Sequence, residues 1–321
     1  MKLVILYCAA VLSLLQQATG SPVVEADNTG HVAGFDKGNQ KNIVGREKYP
    51  YMVFLEFYDR IKKLTTFCGG TIIRGRVVLT AAHCFTATSQ DINVVAVAGI
   101  LDLKEERRKA QVIKMYDYLI HEKFVRFAFK KNAQGEQEVT DFRDDIALVW
   151  LETHFIYNAK VNQISLMSLN VKLGGKTGFI LGWGNTEKGK CSYMLKSAHL
   201  KVVKKSECEY KQNGQYYVID KDRSLCTKSD NLKSQQCSGD SGGPFIIDNK
   251  LAGIISHSYK EDVTLPNGKQ VSMTVAKYGA TVTNVAFYNK WSAAFQSTCH
   301  VLCSPSRVLV QVYFPVLYSV P

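Results

Sequence analysis

Short apolar runs, each ended by glycine or charged residues, recur along the chain from Tyr51 onwards. They include YMVFLEFY, INVVAVAG, DIALVWL, GFILGWG, LAGIISHS and ATVTNVAFY. Many short β-prone runs separated by turn residues are typical of a β-sandwich or β-barrel. A helical pattern is present only from Tyr288 to Thr298, where Trp291 and Phe295 lie one helical turn apart. The pattern therefore predicts an all-β domain with one helix near the end of the chain.

The two ends of the chain lie outside this pattern. Residues 1–20 start with Met1-Lys2, continue with an apolar stretch and end on small residues, which predicts a secretory signal peptide too short to be a membrane anchor. Residues 21–42 are polar and glycine-rich without periodicity, as expected of a detachable propeptide. The apolar tail at 304–321 is compatible with an added edge strand, a partner-binding segment or a mistranslated extension.

Charge and cysteine content indicate a secreted, extracellular chain. No later apolar run reaches the roughly 18 residues that a transmembrane helix needs, so we expect no membrane span. Nine cysteines occur, and removal of Cys8 with the signal peptide leaves an even number, which favours disulfides over a free catalytic thiol. The net charge of +12 comes from residues spread along the chain, which favours ordinary solvated lysines over a dedicated surface for acidic partners.

Three separate segments carry the residues of a hydroxyl-nucleophile site. LTAAHC contains His83, RDDIALVW contains Asp145 and GDSGGP contains Ser241. A serine hydroxyl is a poor nucleophile at neutral pH; it needs an imidazole to take its proton and a buried carboxylate to fix the imidazole tautomer. Glycines around Ser241 let the N–H groups of Gly239 and Ser241 point at a developing oxyanion, and such a donor lowers the barrier by roughly 3 kcal/mol.

Together with NIVGR at Ile43, FCGGTII at Cys68 and GWG at Gly182, these segments resemble the trypsin/chymotrypsin family of secreted serine peptidases. The resemblance extends roughly from Ile43 to Cys299, and its six motifs stand in the family's order. It implies an all-β fold of two six-stranded antiparallel β-barrels, a catalytic cleft between them and a C-terminal helix. Residues 43–303 would then form the peptidase domain.

The resemblance also implies roles for single residues. His83 would be the general base, Asp145 its orienting carboxylate and Ser241 the nucleophile, with Ser256 helping to orient Asp145. Asp240 would pair with the new α-amino group of Ile43 after the propeptide is cut. The neighbouring Asp144 is interpreted as a solvated charge at the rim of the site, and the remaining histidines as structural.

The activation site departs from the family pattern. Asn42 precedes Ile43, where relatives activated by trypsin-like enzymes have Arg or Lys, and Lys41 is one position too early. We expect a cut after Asn42, made either by an asparagine-selective protease or by trimming after a first cut at Lys41. Arg46 also replaces the second glycine of the usual Ile-Val-Gly-Gly.

The specificity pocket is predicted to be uncharged. The family alignment puts Gln235 at its base, and without a carboxylate there a buried basic P1 side chain would lack its counter-ion. Ser256 and Ser258 would line the pocket, with the Ser258 side chain narrowing its mouth. A chymotrypsin-like preference for Leu, Phe or Tyr is the first interpretation, and an elastase-like preference for small residues is the second.

Two segments are longer than in common relatives, residues 121–145 and residues 258–279. The second contains Pro-Asn-Gly-Lys between β-prone runs, which predicts a hairpin. Such segments either restrict which substrates enter or are harmless insertions.

Disulfides follow from the resemblance in part. It pairs Cys68 with Cys84 and Cys208 with Cys226, whereas a third family bridge is absent because Gly178 and Ile247 occupy its positions. We hypothesise a bridge between Cys191 and Cys237. Cys299 and Cys303 would pair with each other or stay free.

The sequence therefore predicts a secreted serine endopeptidase made as a zymogen. The competing interpretation is a non-catalytic secreted homologue that acts as a binding protein. Expected partners are protein or peptide substrates, an activating protease and protein inhibitors, with no nucleic acid. We expect no cofactor and no metal, because Glu105 and Glu106, where a calcium loop would need acidic ligands, stand among basic residues.

Overall fold

The structure is a computed structural model. It describes residues 49–86, 88, 91–104, 109–131, 135, 137–184, 192–212, 215–220, 222–229, 239–258, 260–264, 270–274 and 280–302. The signal peptide, the propeptide with the activation site at Ile43, and the apolar tail lie outside these ranges, as do Gln235, Glu105 and Glu106. Cys191, Cys237 and Cys303 lie outside them too, and of Cys299 only the backbone is described.

Eighteen strands form within the described ranges. They are β1 Met52–Asp59, β2 Leu64–Arg74, β3 Val77–Thr80, β4 Ile92–Ala98, β5 Gln111–Ile120, β6 Val125–Lys131, β7 Gln137–Arg143, β8 Ala147–Leu151, β9 Thr177–Gly182, β10 Lys196–Val202, β11 Tyr210–Gln212, β12 Gln215–Val218, β13 Ser224–Lys228, β14 Pro244–Ile247, β15 Lys250–Ser258, β16 Lys260–Thr264, β17 Gln270–Thr274 and β18 Ala280–Asn284. The expectation of an all-β domain is confirmed.

Twelve of the strands close into two six-stranded barrels, each joined entirely by antiparallel pairs. The first barrel has the order β1-β2-β3-β8-β5-β4, and the second has the order β10-β13-β18-β15-β14-β9. The sequence pattern explains how each strand sits in its barrel. Every residue of β8 is buried, whereas in β10 buried and exposed residues alternate towards the strand's end. Alternation is what a strand needs when one face packs on the core and the other faces water.

The helical elements are short apart from the one at the end. Helix α1 is His83–Thr86, helix α2 is Asn289–Leu302, and 3₁₀ helices span Lys205–Glu207 and Val285–Tyr288. The prediction of a C-terminal helix is confirmed, and it begins one residue later and runs further than the pattern indicated. The rings of Trp291 and Phe295 lie 5.7 Å apart on one face of α2, as their spacing predicted. No helix in the described part of the chain is long and apolar enough to cross a membrane.

The two enlarged segments contribute strands to two additional sheets outside the barrels. Strands β6 and β7 form a hairpin within residues 121–145, and β11 and β12 form another in the connection from β10 to β13. The two hairpins join through a parallel pairing of β7 with β12, which gives the order β11-β12-β7-β6. In the second segment β16 and β17 pair as an antiparallel ribbon, so the predicted hairpin is confirmed.

Both disulfides that the resemblance implied are formed. Cys68 bonds to Cys84, which ties β2 to α1, and Cys208 bonds to Cys226 on β13. Gly178 and Ile247, at the positions of the missing bridge, are neighbours on paired strands: a Cβ on Gly178 would lie 2.6 Å from Ile247 Cγ1. The space of a bridge is thus filled by a bulky apolar side chain against a glycine.

Candidate active site

His83 and Asp145 meet at one end of the first barrel. His83 begins α1 just after β3, and Asp145 stands between β7 and β8. Asp145 Oδ2 lies 2.7 Å from His83 Nδ1, and Asp145 Oδ1 accepts the backbone N–H of His83 at 2.9 Å. Because the carboxylate takes both contacts, it fixes the tilt of the ring and favours a proton on Nδ1. The other ring nitrogen, Nε2, is then the one that can accept a proton.

Asp145 is fully buried and held by partners from the second barrel. Ser256 on β15 donates its hydroxyl to Oδ2 at 2.6 Å, and Thr283 on β18 donates to the main-chain carbonyl at 2.8 Å. Burial alone raises the pKa of this carboxyl, but the charge of His83 and the hydrogen bonds from His83 and Ser256 outweigh it, and the pKa is lowered. Asp145 is therefore a carboxylate at neutral pH.

This lowered pKa gives a prediction for stability. A carboxyl whose pKa is lower in the folded than in the unfolded protein stabilises the fold above its unfolded pKa of about 3.9, and that contribution is lost as the pH falls through the folded pKa. We therefore expect part of the free energy of unfolding to disappear on acidification below about pH 4. Urea unfolding from pH 7 down to acid measures it, and Asp145→Asn is the matched control because it lacks this titration. An identical pH slope in both proteins would contradict the prediction.

Ser241 lies in a tight turn between the two barrels. Its carbonyl accepts the backbone N–H of Gly69 at 2.7 Å, which joins the turn to β2. The following Gly242 has φ +78°, and a Cβ there would lie 2.1 Å from Thr80 Oγ1 and 3.2 Å from the nitrogen of Ala81. Since these residues directly precede α1, the glycine lets the Ser241 turn pack against the segment that carries His83.

Gly239 is also required by its surroundings. Its φ is +98°, and a Cβ would lie 2.6 Å from the ring of Phe67. A side chain at this position would meet both backbone strain and a collision. The sequence therefore needs glycine at this position of the turn that precedes Ser241.

The Asp240 side chain is fully buried, and its carboxylate lies beside the GWG motif. Its Oδ1 accepts the backbone N–H of Gly184 at 2.8 Å. A Cβ on Gly182 would lie 2.0 Å from Oδ1, and a Cβ on Gly184 would lie 2.5 Å from it. Both glycines of the GWG motif therefore make room for this carboxylate, while Trp183 between them donates Nε1–H to the carbonyl of Leu101 at 3.0 Å.

The predicted pocket residues are described only in part. Ser256 turns its hydroxyl to Asp145, and the backbone of Ser258 pairs with Ala280. Between them, His257 contacts Thr281 through Nδ1 at 2.7 Å from Oγ1. Burial lowers the pKa of His257 to about 3 despite the charge of Asp145, so the ring is neutral at physiological pH. The sequence alone does not distinguish His257 from a histidine with a purely structural role.

The interpretation of Asp144 as a solvated rim charge is wrong. Its side chain is only 2% exposed, and it accepts the hydroxyl of Tyr288 at 2.8 Å. Asp144 also has φ +55°, a left-handed conformation that is uncommon for residues other than glycine. The burying residues come from distant parts of the chain, so the local sequence RDD gives no sign of them.

A sequence profile of the family described as Trypsin matches residues 36–282. The chain belongs to the trypsin family. Among the relatives of this trypsin-family chain, granzyme B(G,H) of Mus musculus is 31% identical over 214 residues, which are 66% of this chain and 77% of the relative. Trypsin iota of Drosophila melanogaster is 27% identical over 253 residues, 78% of this chain and 86% of the relative.

Solved structures agree with this family at the level of the fold. A structure described as GrC superposes with a TM-score of 0.59 at 22% identity, covering 79% of this chain and 96% of its own. The structure of neuropsin, a serine protease expressed in the limbic system of mouse brain, superposes with a TM-score of 0.59 at 24% identity. The match covers 78% of this chain and 96% of the neuropsin chain. The two-barrel architecture that the motifs implied is therefore confirmed, and membership of the trypsin family of serine proteases supports a hydrolase.

No group of three or more His, Cys, Asp or Glu side chains within the described ranges of this trypsin-family chain could hold a metal ion. The described site brings an imidazole and a carboxylate together, and the turn that carries Ser241 packs against the segment that precedes His83. Those groups are suited to acyl transfer through a serine.

Proposed function

We propose that the protein is a serine endopeptidase that uses His83 as general base, Asp145 as its orienting carboxylate and Ser241 as nucleophile. The observation that supports this most strongly is the buried chain from Ser256 through Asp145 to His83, with contacts of 2.6 and 2.7 Å. A buried carboxylate held by three donors serves a histidine that must become positively charged during a reaction. A purely structural histidine would not need it.

In the proposed reaction, Ser241 Oγ attacks the carbonyl carbon of the scissile peptide bond while its proton moves to His83 Nε2. The oxyanion receives hydrogen bonds from the N–H groups of Gly239 and Ser241. His83 then protonates the leaving amine, which breaks the C–N bond and leaves an acyl group on Ser241. Water, deprotonated by His83, attacks this ester and returns the serine. Asp145 stays ionised throughout and stabilises the imidazolium.

We further propose that the protein is secreted as a zymogen. Asp240 is fully buried and its Oδ1 accepts the backbone N–H of Gly184, which supports a role inside the protein rather than at its surface. A new α-amino group at Ile43, made by the cut after Asn42, would pair with this carboxylate and would order the N–H groups around Ser241. N-terminal sequencing of active material tests this, and a start at Asn42 would contradict it.

For the substrate, we propose an extracellular protein cut after an uncharged P1 residue. The sequence position of Gln235 supports this: the family resemblance puts it at the base of the pocket, where it would offer no counter-ion to Arg or Lys. The chymotrypsin-like preference for Leu, Phe or Tyr ranks before the elastase-like one. The hairpins β6–β7 and β16–β17 belong to the two segments that are longer than in common relatives. We propose that these segments restrict which substrates enter, so that the enzyme is selective, with protein substrates and protein inhibitors as partners.

Gly184→Ala tests the importance of the Asp240 carboxylate. The new methyl group would lie 2.7 Å or less from both carboxylate oxygens, so Asp240 must shift. The backbone N–H donors on either side of Asp240 would then shift as well. We expect kcat/KM to fall by about 100-fold or more, the loss typical of a displaced oxyanion donor. Peptide turnover by activated protein measures it. Gly174→Ala is the control, because a Cβ there meets nothing within 4 Å; equal activity in both variants would contradict the prediction.

Labelling with an organophosphonate probe tests the reaction itself. The probe should bond covalently to Ser241 in activated protein, and peptide mapping should find no other labelled serine. Urea-unfolded protein is the control for nonspecific labelling. Absence of label after proven processing to Ile43 would favour the alternative, a non-catalytic binding protein on a protease fold. A peptide library varied at P1 then ranks the two specificity interpretations.

A further inference from the structure

Asp144 is a buried charge directly beside the carboxylate that faces His83. Three side chains surround it: Tyr288 donates its hydroxyl to Oδ1 at 2.8 Å, Arg223 Nε lies 3.0 Å from Oδ1, and Arg143 Nε lies 3.4 Å from Oδ2. Burial and the charge of Asp144 raise the pKa of Tyr288, so its hydroxyl stays protonated and remains a donor. An ionised Asp144 is thus compensated by two cations and one neutral donor.

Arg223 is itself fixed from two further sides. Its Nη1 contacts Asp220 Oδ2 at 2.5 Å, and its guanidinium lies 5.2 Å from the ring centroid of Phe287. Arg223 Nε has no hydrogen-bond partner among the described residues, so its contact with Asp144 is an ion pair rather than a directed hydrogen bond.

A turn of the backbone connects Asp144 with Asp145. Ile146 N–H donates to the carbonyl of Asp144 at 2.9 Å, so Asp145 is the central residue of a three-residue turn. Asp144 enters that turn with φ +55°, a left-handed conformation that is uncommon outside glycine and that aspartate tolerates better than most residues. The side-chain contacts of Asp144 anchor one end of the turn whose central residue is Asp145.

The ion cluster also stands at the ends of the two paired strands of the additional sheet. Arg143 is the last residue of β7, and Asp220 and Arg223 follow β12, which pairs with β7 in parallel. The first barrel supplies the anion, and the connection between β10 and β13 of the second barrel supplies the cation. The pair Asp144–Arg223 thus links both barrels beside Asp145.

We propose that Asp144 and Arg223 form a positioning pair for Asp145, which holds the turn around that carboxylate and whose opposite charges act on the basicity of His83. This inference rests on the proposed function, because it assigns to the pair a part in preparing the general base. The pair does not touch the reacting atoms, so its effect passes through Asp145 and His83.

The charges that reach His83 from neighbouring elements are few in the described part of the chain. His83 itself faces Asp145, and His257 on β15 is a neutral neighbour of both. Around Asp144 stand Arg143, Arg223 and, beyond it, Asp220. His121 packs its ring 5.2 Å from that of Tyr288, and because burial lowers its pKa it is neutral near pH 7; Glu122 and Lys123 beside it are exposed.

The test is the titration of His83 in four variants, read by NMR of histidine-labelled activated protein and by the acidic limb of kcat/KM. A unit charge acting over a distance on the order of 10 Å through partly solvated protein shifts a pKa by about half a unit. D144N, which keeps the shape and an acceptor for Tyr288, should lower the pKa of His83 by about that amount. R223M should raise it equally, and the double variant should return it near the wild-type value.

R223K separates charge from position. It keeps the cation but loses the contact with Asp220, so we expect an unchanged pKa of His83 together with a fall in kcat of about threefold to tenfold at constant KM. The distant exposed pair Lys176–Asp248 provides the control, and D248N should change neither quantity.

The opposite signs decide the outcome. Shifts in the same direction in D144N and R223M, or no shift in either, would overturn the proposal even if both variants lose activity or stability. D144N is nearly isosteric, so the test does not depend on R223M folding. The NMR titration needs no turnover, and failure of Ser241 to react with the organophosphonate would count against the proposed function without touching this result.

Discussion

Ser241→Ala is expected to reduce kcat/KM on peptide substrates by roughly 10⁴-fold to 10⁶-fold. The variant loses the only group of the site that can bond to the substrate's carbonyl carbon, while the turn that carries it is retained. That turn is held by main-chain contacts, from Gly69 to the Ser241 carbonyl at 2.7 Å and from Gly242 to Ile255 at 2.8 Å, which an alanine leaves intact. Residual hydrolysis would come from binding and the backbone donors alone.

The measurement is turnover of the P1-optimised peptide, with unfolding temperature as a check on the fold. Ser292→Ala is a matched control, since Ser292 is a buried serine in α2 whose hydroxyl donates to the carbonyl of Asn289 in the same helix. The control should lose little activity. If Ser241→Ala kept more than about one hundredth of the wild-type rate, the proposed nucleophile would be wrong.

Asp145→Asn is expected to lower kcat by about 10⁴-fold with little change in the fold. Asp145 accepts three hydrogen bonds, two from His83 and one from Ser256. An asparagine has one acceptor oxygen and an NH₂ donor, so at least one of these contacts turns from attraction to repulsion. If the NH₂ faces Nδ1, it holds His83 in the tautomer with its proton on Nε2, and that ring cannot accept the proton of Ser241.

Single-turnover kinetics with a peptide ester should show that acylation has slowed, whereas binding of a substrate-like inhibitor should be unchanged. Asp248→Asn serves as the charge-matched control on the surface. A Ser256→Ala variant should lose far less, since it removes only one of the three contacts. Retention of a tenth or more of the wild-type kcat by Asp145→Asn would show that His83 is oriented by something else.

The strands of the barrels could be predicted because the information is local, whereas their closure into two barrels was implied only by the family resemblance of the motifs. Runs such as DIALVWL and GFILGWG match β8 and β9, since a strand needs only a few apolar residues between turn signals. The four-stranded sheet could not be predicted in this way. Its centre is the pairing of Tyr216 with Glu138 and of Val218 with Thr140, and a parallel pair between distant segments leaves no turn signal in the sequence.

The same difference between local and long-range information applies to the residues of the candidate site. His83, Asp145 and Ser241 stand in short motifs whose residue types are dictated by chemistry, so the motifs alone named them. Asp144 was misjudged because its burial depends on Tyr288 and Arg223, which approach it only in the folded chain. A charge next to a motif is normally solvated, and the contacts with Tyr288 and Arg223 reverse that expectation here.

The parallel pair β7·β12 makes two surface segments interdependent. In most folds such segments can be exchanged one at a time, because each is anchored only at its own ends. Here the segments share a ladder whose side-chain period is two, so a one-residue deletion in residues 137–143 would turn every later side chain of β7 to the opposite face of the sheet. A graft between this protein and one of its relatives therefore has to transfer residues 125–143 and 210–218 together.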